Sequence, residues 1–306
     1  MGAFIVKRLY YGLYVVLGVT IVVFLVTRVI GDPVSAMLPM ESSAAQRALF
    51  AQQLGLDRPL YLQFLDFLGN VARLDLGESL WQRRPVTQIV LEKLPMTLYL
   101  VGAGMALAIA LAIPLGMLAA LKPGCIADRL TVVFSLLGLS VPQFWLGLLL
   151  IIVFAVDLRW LPTSGSGDLR HMVLPAITLA LPAMTRMVMV VRSSMMDELN
   201  AQYIKVATAK GLPFRRVVGV HALRNITVPT MTLAGWEVIR ALAGYSVVVE
   251  TVFAWPGLGL AAMQAIERQD LILLQGIVFY VAIMVVLINI ALDVAQKFVD
   301  PRVKFG

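Results

Sequence analysis

Six apolar stretches, each about as long as a bilayer is thick, constrain this chain more than anything else in it. They run Leu9–Ile30, Thr97–Leu121, Leu130–Val156, Met172–Val191, Met231–Phe253 and Leu271–Ala295. A helix crossing the hydrocarbon needs about 20 mostly apolar residues. With 60% apolar and 14% charged residues, the chain holds more hydrocarbon than a soluble domain of this length can bury. The excess must face lipid. This excludes a soluble enzyme, a secreted disulfide scaffold, a disordered tail and a coiled coil. The chain reads as an all-α integral membrane protein with six transmembrane helices.

Lys7 and Arg8 precede the first stretch as they would in a signal peptide, but the apolar run is too long for one and no A-x-A-like cleavage site follows. It is read as a retained first span. Basic residues set the orientation. With the N-terminus inside, the inner pieces carry Lys7, Arg8, Lys122, Arg129, Arg192, Lys205, Lys210, Arg215, Arg216, Arg224, Lys297, Arg302 and Lys304. The short outer loops carry Arg159, Arg170 and Arg268. Both termini are therefore expected in the cytoplasm. The net charge of +7 follows from this bias, so nucleic acid is not an expected partner.

Two connections are too long to be plain turns. The outer one, 31–96, contains Leu60–Val71, whose apolar spacing predicts a helix lying along the outer membrane face. The inner one, 192–230, is basic and is broken at Gly211-Leu212-Pro213. Tyr203–Lys210 is predicted to form a short helix presenting Ala207 and Ala209, whose small side chains let a partner surface approach. Gly211 ends it by adopting a left-handed backbone. An amphipathic piece follows, with Val217, Val218 and Leu223 apolar and Arg215, Arg216 and Arg224 polar. Pro229 is placed near the start of the fifth span, where a missing N–H costs little. The product is either a helix–turn–helix knob for a partner or a basic loop that only sets topology.

No G-x-x-x-x-G-K-[ST] occurs in the sequence, so ATP chemistry is not expected from this chain. The single cysteine, Cys125, excludes an internal disulfide. His171 and His221 lie far apart; His171 reads as a helix-start residue rather than a nickel ligand, and no metal site is expected. Arg186, Glu237, Arg240, Glu250, Asn289 and Asp293 fall in or near spans, where charge is costly unless paired or facing a cavity. Glu237 and Arg240, three apart on one helix face, are either a local ion pair or part of a translocation path. Arg186 and Asp293 are placed near the cytoplasmic helix ends as anchors or interhelical locks. Pro114, Pro142, Pro175 and Pro182 lie within spans, where each can kink or break a helix. Trp255-Pro256-Gly257-Leu258-Gly259 is expected to end the fifth span at the outer face, its glycines turning the chain and Trp255 sitting at the lipid interface. Met184, Met187, Met189, Met195 and Met196 fit either core packing or a pore lining.

The stretch 202–232 includes A-T-A-K-G at 207–211 and H-A-L-R-N at 221–225. It resembles the cytoplasmic EAA-type loop of binding-protein-dependent ABC importer permeases in its peptide-permease form. R-V-I-G-D-P-V at 28–34, L-G-L-D-R-P-L-Y at 54–61, L-D-L-G-E-S at 74–79 and L-P-M-T-L at 94–98 match the same subfamily in order. So do V-P-Q-F-W-L-G at 141–147, V-V-E-T-V-F-A-W-P-G-L-G at 248–259 and D-P-R-V-K at 300–304. Departures are Gln202 for the usual acid, Lys205 and Thr208 for the usual arginines, and Ile30 for a proline.

The resemblance implies a type I ABC importer transmembrane domain in a bacterial inner membrane. Its parts would be a first helix with a long periplasmic segment (1–93), a core permease domain (94–296) and a cytoplasmic tail (297–306). Tyr203, Lys205, Ala207, Ala209, Lys210 and Gly211 would contact an ATP-binding subunit, braced by His221, Arg224 and Asn225. Trp255, Pro256, Gly257 and Gly259 would form a lip of the outer gate. Implied partners are a second permease, two ATP-binding subunits that carry ATP and Mg, and a periplasmic or lipid-anchored solute-binding protein. The chain itself would bind no cofactor. Its solutes would be dipeptides or oligopeptides, with nickel chelates or glutathione as alternatives. A reading from another class is an ion-coupled secondary transporter, which should carry inverted repeats; none is visible here.

Overall fold

The computed structural model describes residues 2–26, 34, 42–53, 55 and 57–299. The motifs at 28–34 and 300–304, the end of the first span and most of the tail lie outside these residues, apart from Val34. In chain order the helices are α1 (Gly2–Leu25), α2 (Ala44–Gln53), α3 (Leu60–Ala72), α4 (Val86–Leu121), α5 (Ile126–Ser140) and α6 (Gln143–Leu150). They continue with α7 (Leu169–Asn200), α8 (Gln202–Ala209), α9 (Phe214–Val252), α10 (Leu258–Glu267) and α11 (Leu271–Val299). Among the described residues, five are long and apolar enough to cross a membrane, six if the bent pair α5–α6 is one span. The expected fold class is therefore observed. Two compact units divide the chain: Met1–Met96 with Pro256–Val286, and Thr97–Trp255 with Leu287–Gly306.

Among the described residues the expected spans fall on helical stretches, the third of them on the bent pair α5–α6, and the boundaries move for identifiable reasons. Helix α4 begins at Val86 rather than Thr97 because Val86, Ile89 and Val90, at helical spacing, are buried in the first unit's core. The polar Gln88, Glu92 and Lys93 between them hide this turn from a hydropathy window. Helix α7 extends past Met172–Val191 at both ends. At its start Asp168 and His171 form a capping box, with Asp168 Oδ1 accepting from the Arg170 N–H at 3.0 Å. His171 is thus a helix-start residue, as expected. Helix α9 starts at Phe214 instead of Met231 and holds Pro229 inside it, not near its first turn. Wide π turns at Val217–Ala222 and Ala241–Tyr245 interrupt its α geometry.

Of the four span prolines, one breaks a helix. Val141, extended at φ −80° and ψ 121°, precedes Pro142, and α5 and α6 meet there at 102°. The ring of a proline pushes its predecessor out of the α region. Pro114, Pro175 and Pro182 remain inside α4 and α7.

In the first unit, Leu76, Val86, Ile89, Leu258, Ala265, Leu273 and Ile277 form the core. Asp270 closes it. Its carboxylate accepts from Ser79 Oγ at 2.6 Å, the Trp81 N–H at 3.1 Å and the Leu273 N–H at 3.0 Å, capping α11 while pinning the loop before α4. Phe24 of α1 packs on Phe64 and Phe67 of α3, ring centres 5.1 and 5.6 Å apart.

The second unit is organised around α7, against which α5, α6, α8 and α9 all pack. Its buried side includes Leu174, Leu179, Met187, Val191 and Met195. Met187 and Met195 are fully buried, so core packing is the role observed for them. Helices α4 and α7 approach so closely that a Cβ on Gly116 would sit 2.7 Å from Val191 Cβ and 2.8 Å from the Val188 carbonyl oxygen. Small residues permit such contacts between membrane helices. Replacing Gly116 with Val should therefore lower the apparent melting temperature of the detergent-purified chain through about 1–3 kcal/mol of overpacking. Gly102, whose Cβ position is open, should accept Ala without that loss. Equal melting of G116V and wild type would show that the helices are not in contact here.

Candidate functional site: a braced helical knob and a buried charge cluster

Helix α8 is a one-sided element. Ile204 and Ala207 are buried in a core with Ala120, Val191, Met195, Val217, Val218, Ala222 and Ile226. Lys205, Val206, Thr208, Ala209 and Lys210 are exposed. This corrects one expectation: Ala207 does not present its methyl to a partner but seats the helix on its own chain, leaving Ala209 as the small exposed residue. Beyond the helix, Gly211 takes φ +79°, and its N–H donates to the Thr208 carbonyl at 2.9 Å. That left-handed step is open to glycine at little cost, and it ends the helix as expected. The Arg216 N–H then donates to the Pro213 carbonyl at 2.8 Å, starting α9.

A hydrogen-bonded triad locks this knob to its neighbours. The Tyr203 hydroxyl donates to Glu198 at the end of α7. Asn225 of α9 donates through Nδ2 to Glu198 Oε2 at 3.0 Å and to the Tyr203 oxygen at 2.8 Å. Burial, and then the neighbouring Glu198 carboxylate, push the Tyr203 phenol up to about 12, so it stays a donor throughout the physiological range. Of the three residues expected as braces, Asn225 makes these bonds. His221 is half-buried and Arg224 exposed, and neither side chain makes a hydrogen bond among the described residues. Glu198 escaped the sequence reading because nothing local pairs it with Tyr203 or Asn225. The exposed rim carries Lys205, Lys210, Arg215, Arg216 and Arg224 without an ion pair among the described residues, beside the 61% exposed ring of Phe214. The surface is thus basic and small at its centre, apolar at its edge, and rigidly backed.

The second constellation lies within the spans. Glu237 of α9 is fully buried, and Arg186 of α7 donates to both its oxygens, Nε to Oε1 at 2.7 Å and Nη2 to Oε2 at 2.8 Å. Arg186 Nη2 also donates to the Tyr245 hydroxyl at 3.3 Å, and its guanidinium lies 5.7 Å from the Tyr245 ring centre. Arg240 adds a third bond to Glu237, Nη1 to Oε1 at 3.1 Å. The local Glu237–Arg240 pair therefore exists, but it is the lesser contact. Arg186 is an interhelical lock as expected, although it sits near the middle of the long α7 rather than near its end. A bidentate guanidinium–carboxylate pair is the strong form of such a contact.

Three further polar residues lie in the spans. Glu250 is buried and accepts from Thr97 Oγ1 at 2.7 Å. Asn289 is exposed and Asp293 half-buried on α11. An ion pair missing from the sequence reading joins Asp128, before the apolar part of α5, to Arg192 of α7. Nη2 donates to Oδ2 at 2.9 Å, and the Gly124 N–H adds a bond at 2.8 Å.

The 255–259 segment departs from expectation in two ways. Trp255 is 5% exposed, not at an interface. The turn is made by Ala254 at φ +47°, not by a glycine; Gly257 is at φ −101° and begins α10. The Trp255 N–H donates to the Glu250 carbonyl at 2.9 Å and the Ala254 N–H to that of Thr251 at 3.3 Å, a Schellman ending with alanine in the left-handed position. Gly259 is buried and Pro256 half-buried.

Removing one partner of a buried pair strands the other charge, at about 3–5 kcal/mol. Glu237→Ala should thus lower the apparent melting temperature sharply, and Arg186→Met combined with Glu237→Leu should recover most of the loss. Arg240→Gln leaves the bidentate Arg186–Glu237 pair intact and should cost clearly less than Glu237→Ala. Wild-type melting for Glu237→Ala would show that the pair is not formed in the membrane protein.

Residues 112–305 match the family of binding-protein-dependent transport system inner membrane components, and 1–101 match the N-terminal membrane component of the same systems. The chain is 36% identical over its full length to the full length of the oligopeptide transport system permease protein AppB of Bacillus subtilis (strain 168). It is 38% identical to the di/tripeptide transport system permease protein DppB of Pseudomonas aeruginosa (strain UCBPP-PA14), with 99% of each chain covered. The glutathione transport system permease protein GsiC of Escherichia coli O6:H1 is 36% identical, again over 99% of both chains. Among solved structures, the MetNI methionine ABC transporter in inward facing conformations has the same fold. The TM-score is 0.59 at 20% identity, over 69% of this chain and 96% of that one. The chain belongs to the family of binding-protein-dependent transport system inner membrane components, as a multi-pass permease subunit of the bacterial inner membrane.

Proposed function

We propose that this permease subunit imports dipeptides or oligopeptides, with α8 as the seat of an ATP-binding subunit. The observation that carries the reading is the exposed face of α8, basic and small, held by the Glu198–Tyr203–Asn225 triad against α7 and α9. A partner pressing on a loosely tethered loop would move only the loop. Pressing on this helix moves two membrane helices. The chain is oriented with both termini and the 192–230 segment in the cytoplasm, in line with its inner basic residues. A second permease completes the pathway, two ATP-binding subunits supply hydrolysis, and a solute-binding protein delivers cargo outside. Lys205, Ala209, Lys210 and Gly211 form the contact, while Tyr203, Ala207 and Asn225 hold the helix in place. Trp255, Pro256, Gly257 and Gly259 lie toward the outer gate. The relatives named for oligopeptides and di/tripeptides support peptide cargo, and the one named for glutathione supports a γ-linked tripeptide through the same machinery.

In the reconstituted complex, Ala209→Glu places a bulky charge at the centre of the proposed contact without touching the buried side of α8. Solute-stimulated ATP hydrolysis should fall about tenfold or more, as when a central interface position is disrupted. Co-purification with the ATP-binding subunits should weaken in parallel. Unchanged hydrolysis together with unchanged assembly would leave 192–230 as a topology-setting loop and return the stand-alone transporter to consideration.

A further inference from the structure

Two guanidiniums share one carboxylate in the charge cluster. Arg186 occupies both oxygens of Glu237, and Arg240 takes a further bond to one of them. The group therefore keeps one positive charge, and the half-exposed Arg240 carries it outward. Taking the apolar stretch 231–253 as the part of the longer α9 that crosses the hydrocarbon, Arg240 lies about 14 Å into it, at 1.5 Å per residue. That is close to the middle of a hydrocarbon layer about 30 Å thick. An arginine side chain is too short to reach the headgroups from there, and facing lipid at this depth is costly.

The face that Arg240 shares is also unlike a lipid-facing one. Thr232, Trp236, Arg240, Ala243 and Gly244 recur at helical spacing and are all exposed. Along 130–139 of α5, by contrast, the exposed positions are Leu, Val and Phe. A Cβ added to Gly244 would meet nothing within 4 Å, so this chain leaves the strip uncovered one turn beyond the arginine. The π turn Ala241–Tyr245 begins beside it, and such widened turns occur frequently at functional sites. An uncovered strip offering an aromatic ring, an incompletely neutralised cation and a residue with no side chain suits a zwitterionic or anionic solute.

We infer that Trp236, Arg240 and Gly244 form a solute-contact subsite in the translocation path, and that Arg240 binds the terminal carboxylate of the passing peptide. This rests on the peptide-importer reading above, and it adds the residue that meets the cargo and the chemical group it meets. Arg186 acts as a positioning residue: by satisfying Glu237 it keeps the acid from neutralising Arg240 fully. Glutathione and linear peptides share the carboxylate, so the subsite serves either cargo.

The test uses the complete importer in proteoliposomes, with the solute-binding protein saturated by either trialanine or trialanine amide. ATP hydrolysis and uptake are read together. For R240Q, trialanine uptake should fall about tenfold or more, the effect of losing a charge-assisted bond, while amide uptake stays near its wild-type rate. R240K should restore most trialanine uptake. An equal loss of both peptides in R240Q overturns the subsite and assigns Arg240 to contact with a second chain. An unchanged trialanine rate overturns it as well. Wild type moving neither peptide overturns the peptide reading itself, and the subsite with it.

Discussion

Hydrocarbon offers neither hydrogen bonds nor counter-charges, and that absence shapes this permease at every scale. Backbone groups must be satisfied within each segment, which leaves helices as the answer for apolar stretches of this length. Side-chain charges must then be answered by other side chains. The Arg186–Glu237 contact does this between α7 and α9, across 51 positions of sequence. Because a solitary charge in hydrocarbon is expensive, any sliding of the two helices that broke the pair would be costly. The second unit is arranged around α7, and its partner helices meet it where small residues such as Gly116 and Gly138 allow close approach.

The same helix connects the proposed site of energy input with the proposed site of solute contact. Helix α8 is bonded to the end of α7 through Glu198 and to α9 through Asn225. Toward the middle of both helices, the charge cluster ties them together again. In the proposed mechanism a displacement at α8 travels along elements joined at two levels, so they move as one body instead of sliding apart. The 102° break at Pro142 lies in α5–α6, which packs on α7, so the discontinuity falls in a neighbour of the lever and not in the lever itself.

Much of this was legible in the sequence, and the failures have physical causes. Hydropathy found the apolar runs that form helices, because 20-residue apolar runs have few other uses, but it read 130–156 as one span where Pro142 bends the chain by 102°. It missed the first turns of α4, where core residues alternate with Gln88, Glu92 and Lys93, and the first turns of α9, where Arg215, Arg216 and Arg224 dilute the signal. The end of α8 at Gly211 was readable because a left-handed residue favours glycine. Its counterpart at Ala254 was not, since alanine gives no sign of a positive φ. The inward turn of Ala207 was hidden because an alanine fits a core and an interface equally well. Local spacing found Glu237 with Arg240 three positions away but could not reveal Arg186 as the stronger partner. Long-range pairs such as Asp128–Arg192 leave no trace in a single sequence.

The most direct measurement of the central claim is solute uptake by the reconstituted complex with all ion gradients collapsed by ionophores. An ATP-driven importer predicts that peptide accumulates when ATP is supplied to the side bearing the α8 knob, and that accumulation stops when ATP is withheld. Accumulation that ignores ATP and vanishes with the ion gradients would contradict the account and identify a self-sufficient secondary transporter.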